Sequence, residues 1–189
     1  MACMRVSILA FGLMLVILPM PAPGASAAAG CGTPPPQLGK FTPAQPGARL
    51  PAAPFVGEDG ADRPLDGLRG EGLVLNIWAT WCAPCVEEMP ALDKLAAQSE
   101  RIGVRVLPLS ADREGAAVVR RFYVVNKIAH LPVVLDRTGR VARAVGVGGL
   151  PTTLLYDSEG NEVGRVVGVA RWDAPEVVDF LATCLAGRT

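Results

Sequence analysis

The chain has 189 residues, half of them apolar, with 18 basic and 18 acidic side chains and a formal charge of zero. That length holds one domain with extensions, and the apolar share suffices for a core. Without a basic excess there is no electrostatic footprint of a nucleic-acid binder, and a single histidine narrows the options for a metal site.

Read from the start, Arg5 forms a short positive region ahead of an apolar run from Val6 to Leu18, after which Pro19, Pro21 and Pro23 interrupt any helix. The thirteen residues of this run, Ser7 among them, fall short of a bilayer span. Ala25-Ser26-Ala27 is a small-x-small cleavage site. Residues 1–27 therefore read as a signal peptide, or else as a retained N-terminal membrane anchor. A third option is lipidation at Cys31, because Ala28-Ala29-Gly30-Cys31 is lipobox-like, although the apolar run ends well upstream. Each option places the rest of the chain outside the cytoplasm.

Residues 28–52 are rich in Pro, Gly and Ala and read as a linker. Phe55-Val56 and Arg63-Pro64-Leu65 flank the turn-like Gly57-Glu58-Asp59-Gly60, which predicts a short β-hairpin. Leu73 to Trp78 is an apolar run broken by Asn76 alone, expected as a buried central strand. Val86 to Gln98 has helical periodicity, with Pro90 as a bend. Then follow a strand at Val104–Leu109, a helix at Ala116–Val125, a short strand at Pro132–Leu135 and a brief helix at Val141–Val145. Strands at Thr152–Tyr156 and Val163–Val169 are joined by the hairpin signal Asp157-Ser158-Glu159-Gly160-Asn161. A final helix runs from Ala174 to Ala186, with Asp173 as N-cap and Pro175 in its first turn.

Between the central strand and its helix lies Trp81-Cys82-Ala83-Pro84-Cys85. Two cysteines at this spacing can close a small ring as a disulfide and reopen as a dithiol. At a helix N-terminus the unpaired N–H groups and the dipole favour the thiolate, the attacking species in exchange. Cys82, nearer the helix start, is expected as the nucleophile, and Cys85, a turn deeper, as the resolving thiol. A zinc site would need further Cys or His ligands, and there is no second Cys-x-x-Cys. No G-x-G-x-x-G or phosphate loop is present either, so no cofactor is expected.

The stretch Leu75 to Cys85, with Glu87-Glu88-Met89-Pro90 after it and Leu150-Pro151-Thr152-Thr153 far downstream, resembles the TlpA/ResA-like thiol–disulfide oxidoreductases, exported bacterial members of the thioredoxin superfamily. The resemblance covers roughly Ala53 to Ala186. It implies an α/β thioredoxin-like fold over residues 53–189: a central mixed sheet flanked by helices, with the N-terminal β-hairpin and an insertion between about Ala111 and Val145. It implies that Pro151 is a cis-proline whose loop, with Leu150, pairs with an extended substrate peptide, Trp81 walling the site. It also implies that Glu88 tunes the titration of the two thiols. Asn76 stands where thioredoxin has a buried aspartate, as exported relatives commonly do, and shifts proton handling toward Glu88 or water.

The resemblance implies a periplasmic reductase of envelope protein disulfides, serving cytochrome c maturation or oxidase assembly, with a membrane donor that re-reduces the dithiol. The alternative is a copper metallochaperone using the dithiol as ligands; a net oxidant or isomerase is a further option. A Sco-type copper site would need Cys-x-x-x-Cys, and a peroxiredoxin would need Thr where Ala79 stands. His130, Trp78 and Trp172 read as packing or surface residues. The remaining cysteines, Cys31 and Cys184, make an even number with the active pair outside the cytoplasm, which suggests a structural disulfide between them.

Overall fold

The computed structural model describes residues 31–186. One eight-stranded mixed sheet organises them: β1 (Phe41–Pro43), β2 (Pro54–Val56), β3 (Asp62–Pro64), β4 (Gly72–Trp78), β5 (Val104–Ser110), β6 (Val134–Leu135), β7 (Thr152–Tyr156) and β8 (Glu162–Val167), in the spatial order β1-β8-β7-β4-β5-β6-β2-β3. The helices are α1 (Ala83–Ala96), α2 (Ser99–Ile102), α3 (Ala116–Asn126), α4 (Arg140–Ala144) and α5 (Pro175–Leu185).

β4 is buried along its whole length because it runs parallel to β5 on one side and antiparallel to β7 on the other, with both faces covered. Its alternation divides the core. Val74 and Trp78 point into the cluster that holds Cys85, Met89 and Leu92 of α1 and Leu181 of α5. Leu73, Leu75 and Ile77 point into a second cluster with Phe55, Leu109, Val141 and Leu154. The one polar residue of β4, Asn76, is completely buried. The arrangement is the thioredoxin-like fold; the hairpin β2–β3 closes one edge, and α3, β6 and α4 occupy the stretch expected as an insertion.

Three sequence expectations differ from the structure. The stretch 28–52 does not behave as a linker where it is described. Leu38 is fully buried and Leu50 nearly so, Phe41 meets Phe180 of α5 edge-on at 6.1 Å, and β1 pairs with β8. Gly164 permits that pairing, since a Cβ there would come within 2.7 Å of the Thr42 carbonyl oxygen. The active-site helix begins at Ala83 rather than Val86, because Cys82 itself caps it, and it continues through Pro90. Asp173 does not cap α5: Ala174 occupies that position without a side-chain cap, and Asp173 is drawn instead to Lys94 of α1 at 3.0 Å.

Candidate active site

The chemistry sits where β4 hands over to α1. A turn closes from Ala79 O to Cys82 N, and the helix starts with Pro84 in its first turn. Cys82 and Cys85 are joined by a disulfide, so the site is in its oxidised form. The Cys82 sulfur accepts the Cys85 N–H at 3.3 Å, a donor of the first helical turn and so at the positive end of the helix dipole. Cys82 keeps 7% of its surface exposed and Cys85 none, so Cys82 is the more accessible residue of the pair. Trp81 beside it is 69% exposed, the expense of an indole in water at the rim of the site.

The Leu150–Pro151 peptide bond is cis, at the start of β7. Its loop is held by Thr152 Oγ1 donating to Gly149 O at 2.7 Å and by Gly168 N donating to Pro151 O at 3.0 Å. The second contact brings the end of β8 beside the proline loop, where Val167 and Val169 are about half exposed.

One helical turn past Cys85 on α1, Glu88 is 1% exposed. Its carboxylate is the acceptor in a closed ring of donors: Asn76 Nδ2 at 2.9 Å, Trp172 Nε1 at 2.8 Å and Ala170 N at 3.2 Å. Loss of water holds the Glu88 carboxyl above its ordinary range, and the bonds from Trp172, Ala170 and Asn76 pull the other way. Asn76 Nδ2 also donates to Thr153 Oγ1 at 2.9 Å, while Asn76 Oδ1 is buried without a hydrogen-bond partner. Glu87 is exposed, as expected of a solvent-facing helix acid.

Two participants escaped sequence reasoning. Trp172, expected as packing, is a donor to the buried carboxylate. Asp112, 1% exposed, accepts from Thr80 N at 2.9 Å, Thr80 Oγ1 at 2.7 Å and Ser110 Oγ at 2.7 Å, and so pins the turn that delivers Cys82. The available signal for Asp112 was register. β4 and β5 run parallel with Trp78 opposite Ser110, which sets Ser110-Ala111-Asp112 beside Trp78-Ala79-Thr80.

Cys31 and Cys184 are brought together, but no bond joins their sulfurs. His130 is exposed and uses its backbone N–H to bind Asp93 Oδ1 at 2.7 Å. Among the described residues, no group of three or more His, Cys, Asp or Glu side chains is placed to hold a metal ion, and no helix is long and apolar enough to cross a membrane.

Residues 46–162 match the AhpC/TSA family. The chain is 36% identical over 104 residues to the thiol-disulfide oxidoreductase ResA of Bacillus thuringiensis (strain Al Hakam), covering 55% of this chain and 59% of that protein. It is 38% identical over 120 residues to ResA of Halalkalibacterium halodurans, covering 62% and 65%. The chain thus spans less than two thirds of the length of these relatives. The crystal structure of a thiol:disulfide interchange protein DsbE from Chlorobium tepidum superposes with a TM-score of 0.61 at 26% identity, covering 71% of this chain and 96% of that one. With the disulfide at the start of α1, the cis-proline loop and this sheet order on the same chain, the protein belongs to the AhpC/TSA family and is a TlpA/ResA-like member of the thioredoxin superfamily.

Proposed function

We propose that the protein is an exported thiol–disulfide oxidoreductase that reduces disulfides of cell-envelope proteins. The observation that carries this reading is the Cys82–Cys85 disulfide at a helix N-terminus, close in the chain to a buried, hydrogen-bonded carboxylate. In the reduced protein the Cys85 N–H and the helix dipole stabilise a Cys82 thiolate. That thiolate attacks one sulfur of the substrate disulfide, and the other sulfur leaves as a thiol. Cys85 then attacks the Cys82 sulfur of the mixed disulfide, restoring the Cys82–Cys85 bond and releasing the substrate reduced. Two electrons pass from the dithiol to the substrate.

Cys85 must lose its proton for that second step, in a site sealed from bulk water. Glu88, one helical turn further along α1 and held above the usual carboxylate range, is the group assigned to accept it, directly or through a water. Leu150 and Pro151, at the cis peptide bond, would receive the substrate backbone through the Leu150 main chain, as the likeness to thioredoxin-like proteins suggests. Trp81, with Val167 and Val169, offers apolar contact around the sulfurs. The names of the relatives support the reaction class: ResA is a thiol-disulfide oxidoreductase, and DsbE a thiol:disulfide interchange protein. The apolar N-terminal run and Ala25-Ser26-Ala27 support export, with a role in cytochrome c maturation or oxidase assembly and a membrane protein as electron donor.

The test is insulin reduction by the dithiol form alongside titration with cuprous ion. Turnover that is lost in Cys82→Ser, with mixed disulfides trapped by Cys85→Ser, supports the assignment. Tight stoichiometric copper binding with no insulin reduction would make the protein a metal carrier instead.

A further inference from the structure

Cys31 and Cys184 lie 153 residues apart in sequence and meet in space. Cys184 Sγ donates to the Cys31 carbonyl oxygen at 3.3 Å, and Cys31 Sγ is 3.9 Å from the Cys184 carbonyl oxygen. This reciprocal contact joins two segments that are each anchored separately. On one side, α5 buries Val177, Leu181 and Leu185 in the core, and its last turn is fixed by Ser158 N donating to Leu185 O at 3.1 Å. A Cβ at Gly72 would lie 2.6 Å from Leu185 Cβ, so β4 and the end of α5 pack backbone to side chain. On the other side, the chain after Cys31 is held by buried Leu38, by Arg171 N donating to Gln37 O at 3.0 Å, and by the β1–β8 ladder. Each sulfur thus lies against the other residue's backbone, with Cys184 in the core cluster and Cys31 packed against it.

We propose that Cys31 and Cys184 form a second redox pair, closing to a disulfide that clamps the N-terminal segment onto α5. The proposal does not depend on the role of Cys82 and Cys85. Access sets the order of events. Cys31 is half-buried, whereas Cys184 is 9% exposed, and burial together with the neighbouring Cys31 pushes its thiol pKa up. Cys31, as thiolate, attacks an external disulfide of a small thiol or an oxidant protein and expels one thiol. Cys184 gives up its proton and attacks the Cys31 sulfur, expelling the second thiol. One S–S bond is consumed and one formed; the two electrons and the two protons of the cysteine pair end on the expelled thiols. An oxidising compartment supplies such disulfides.

The clamp closes a segment that also supports the active site. Gln37 O accepts from Arg171 N, and the residues on either side of Arg171, Ala170 and Trp172, provide two of the three donors to Glu88.

The experiment uses the full chain carrying Cys3→Ser, Cys82→Ser and Cys85→Ser, which leaves Cys31 and Cys184 as its only cysteines. After incubation with oxidised glutathione, thiol blocking and proteolysis, the expected product is a Cys31–Cys184 linked peptide from a monomer about 2 Da lighter than the reduced chain. Its Tm should rise by roughly 5–15 °C and return on reduction by dithiothreitol. Adding Cys31→Ser, a change at the half-buried partner, should remove both the linkage and the shift. An unlinked, alkylated Cys184, glutathione adducts on both residues, or linkage only between chains would overturn the proposal.

Discussion

Replacing Trp172 by Phe separates two effects of one buried side chain. Phe keeps the ring but lacks the indole N–H that donates to Glu88 at 2.8 Å, and Trp172 is fully buried. The ring is smaller by about 40 Å³, which at ~24 cal/mol per Å³ of cavity costs about 1 kcal/mol at any pH. The hydrogen bond adds a pH-dependent part: a bond to an ionised group contributes about 1.5–3 kcal/mol, against about 1 kcal/mol when the group is neutral. Burial raises the Glu88 pKa, so this group favours the folded state below its unfolded value of 4.5 and loses that contribution as pH rises through its folded pKa. Removing a donor to the charged form raises the folded pKa further and enlarges the loss. Trp172→Phe should therefore be destabilised by about 1–2 kcal/mol near pH 4 and about 3 kcal/mol near pH 9. Urea unfolding followed by far-ultraviolet circular dichroism across that range measures it. In a Glu88→Gln background the pH dependence should vanish and the packing loss remain. A loss that is the same at every pH in the Glu88 protein would refute the claim that the indole serves the carboxylate.

Glu88→Gln itself should fold normally and be no less stable than the parent at pH 8, because the buried charge is gone and a turned Asn76 amide can accept from the new Gln N–H through Oδ1, which has no partner in the parent. Its Cys82 alkylation profile, read in the reduced protein with iodoacetamide, should move to lower pH, since a negative neighbour has been removed; an unchanged profile would detach Glu88 from the dithiol. Asp112→Ala strips the acceptor from Thr80 N, Thr80 Oγ1 and Ser110 Oγ and should cost about 2–4 kcal/mol while slowing insulin reduction, with Thr80→Val giving a smaller effect on both. Leu38→Ala should lose about 2–4 kcal/mol in chemical denaturation despite lying in a stretch that reads as linker, and a loss under 0.5 kcal/mol would mean the segment is not part of the cooperative core.

Much of this site was legible because its chemistry is local. Cys82 and Cys85 are three residues apart at a strand–helix junction, and Glu88 follows one turn later on the same helix. What escaped is non-local. Leu38 and Leu50 are single apolar residues among prolines and glycines, with no periodicity to mark them. Leu38 is buried in the cluster that holds Val166 of β8 and Leu181 of α5, and Leu50 in the one that holds Leu75 of β4 and Leu154 of β7, so their partners lie far along the chain. Trp172 lies 84 residues from the carboxylate it serves, and nothing around it in the sequence distinguishes a donor from a packed ring. The start of α1 was misplaced because cysteine is not among the usual capping residues, yet its sulfur accepts the Cys85 N–H as a serine oxygen would. Asp173 has the usual capping chemistry, but Lys94 of α1 draws its carboxylate away from the helix start.

The two outer strands of the sheet have a consequence for the chain in company. β1 and β3 are three residues long, and each ends in a proline, Pro43 and Pro64. A strand offered by another molecule would find at either border only a short ladder, interrupted where the proline ring replaces an N–H. Extended segments of partly unfolded chains are the species most apt to add to an open sheet. With both borders closed in this way, an extended peptide from another molecule is denied an indiscriminate place to zip up along the sheet.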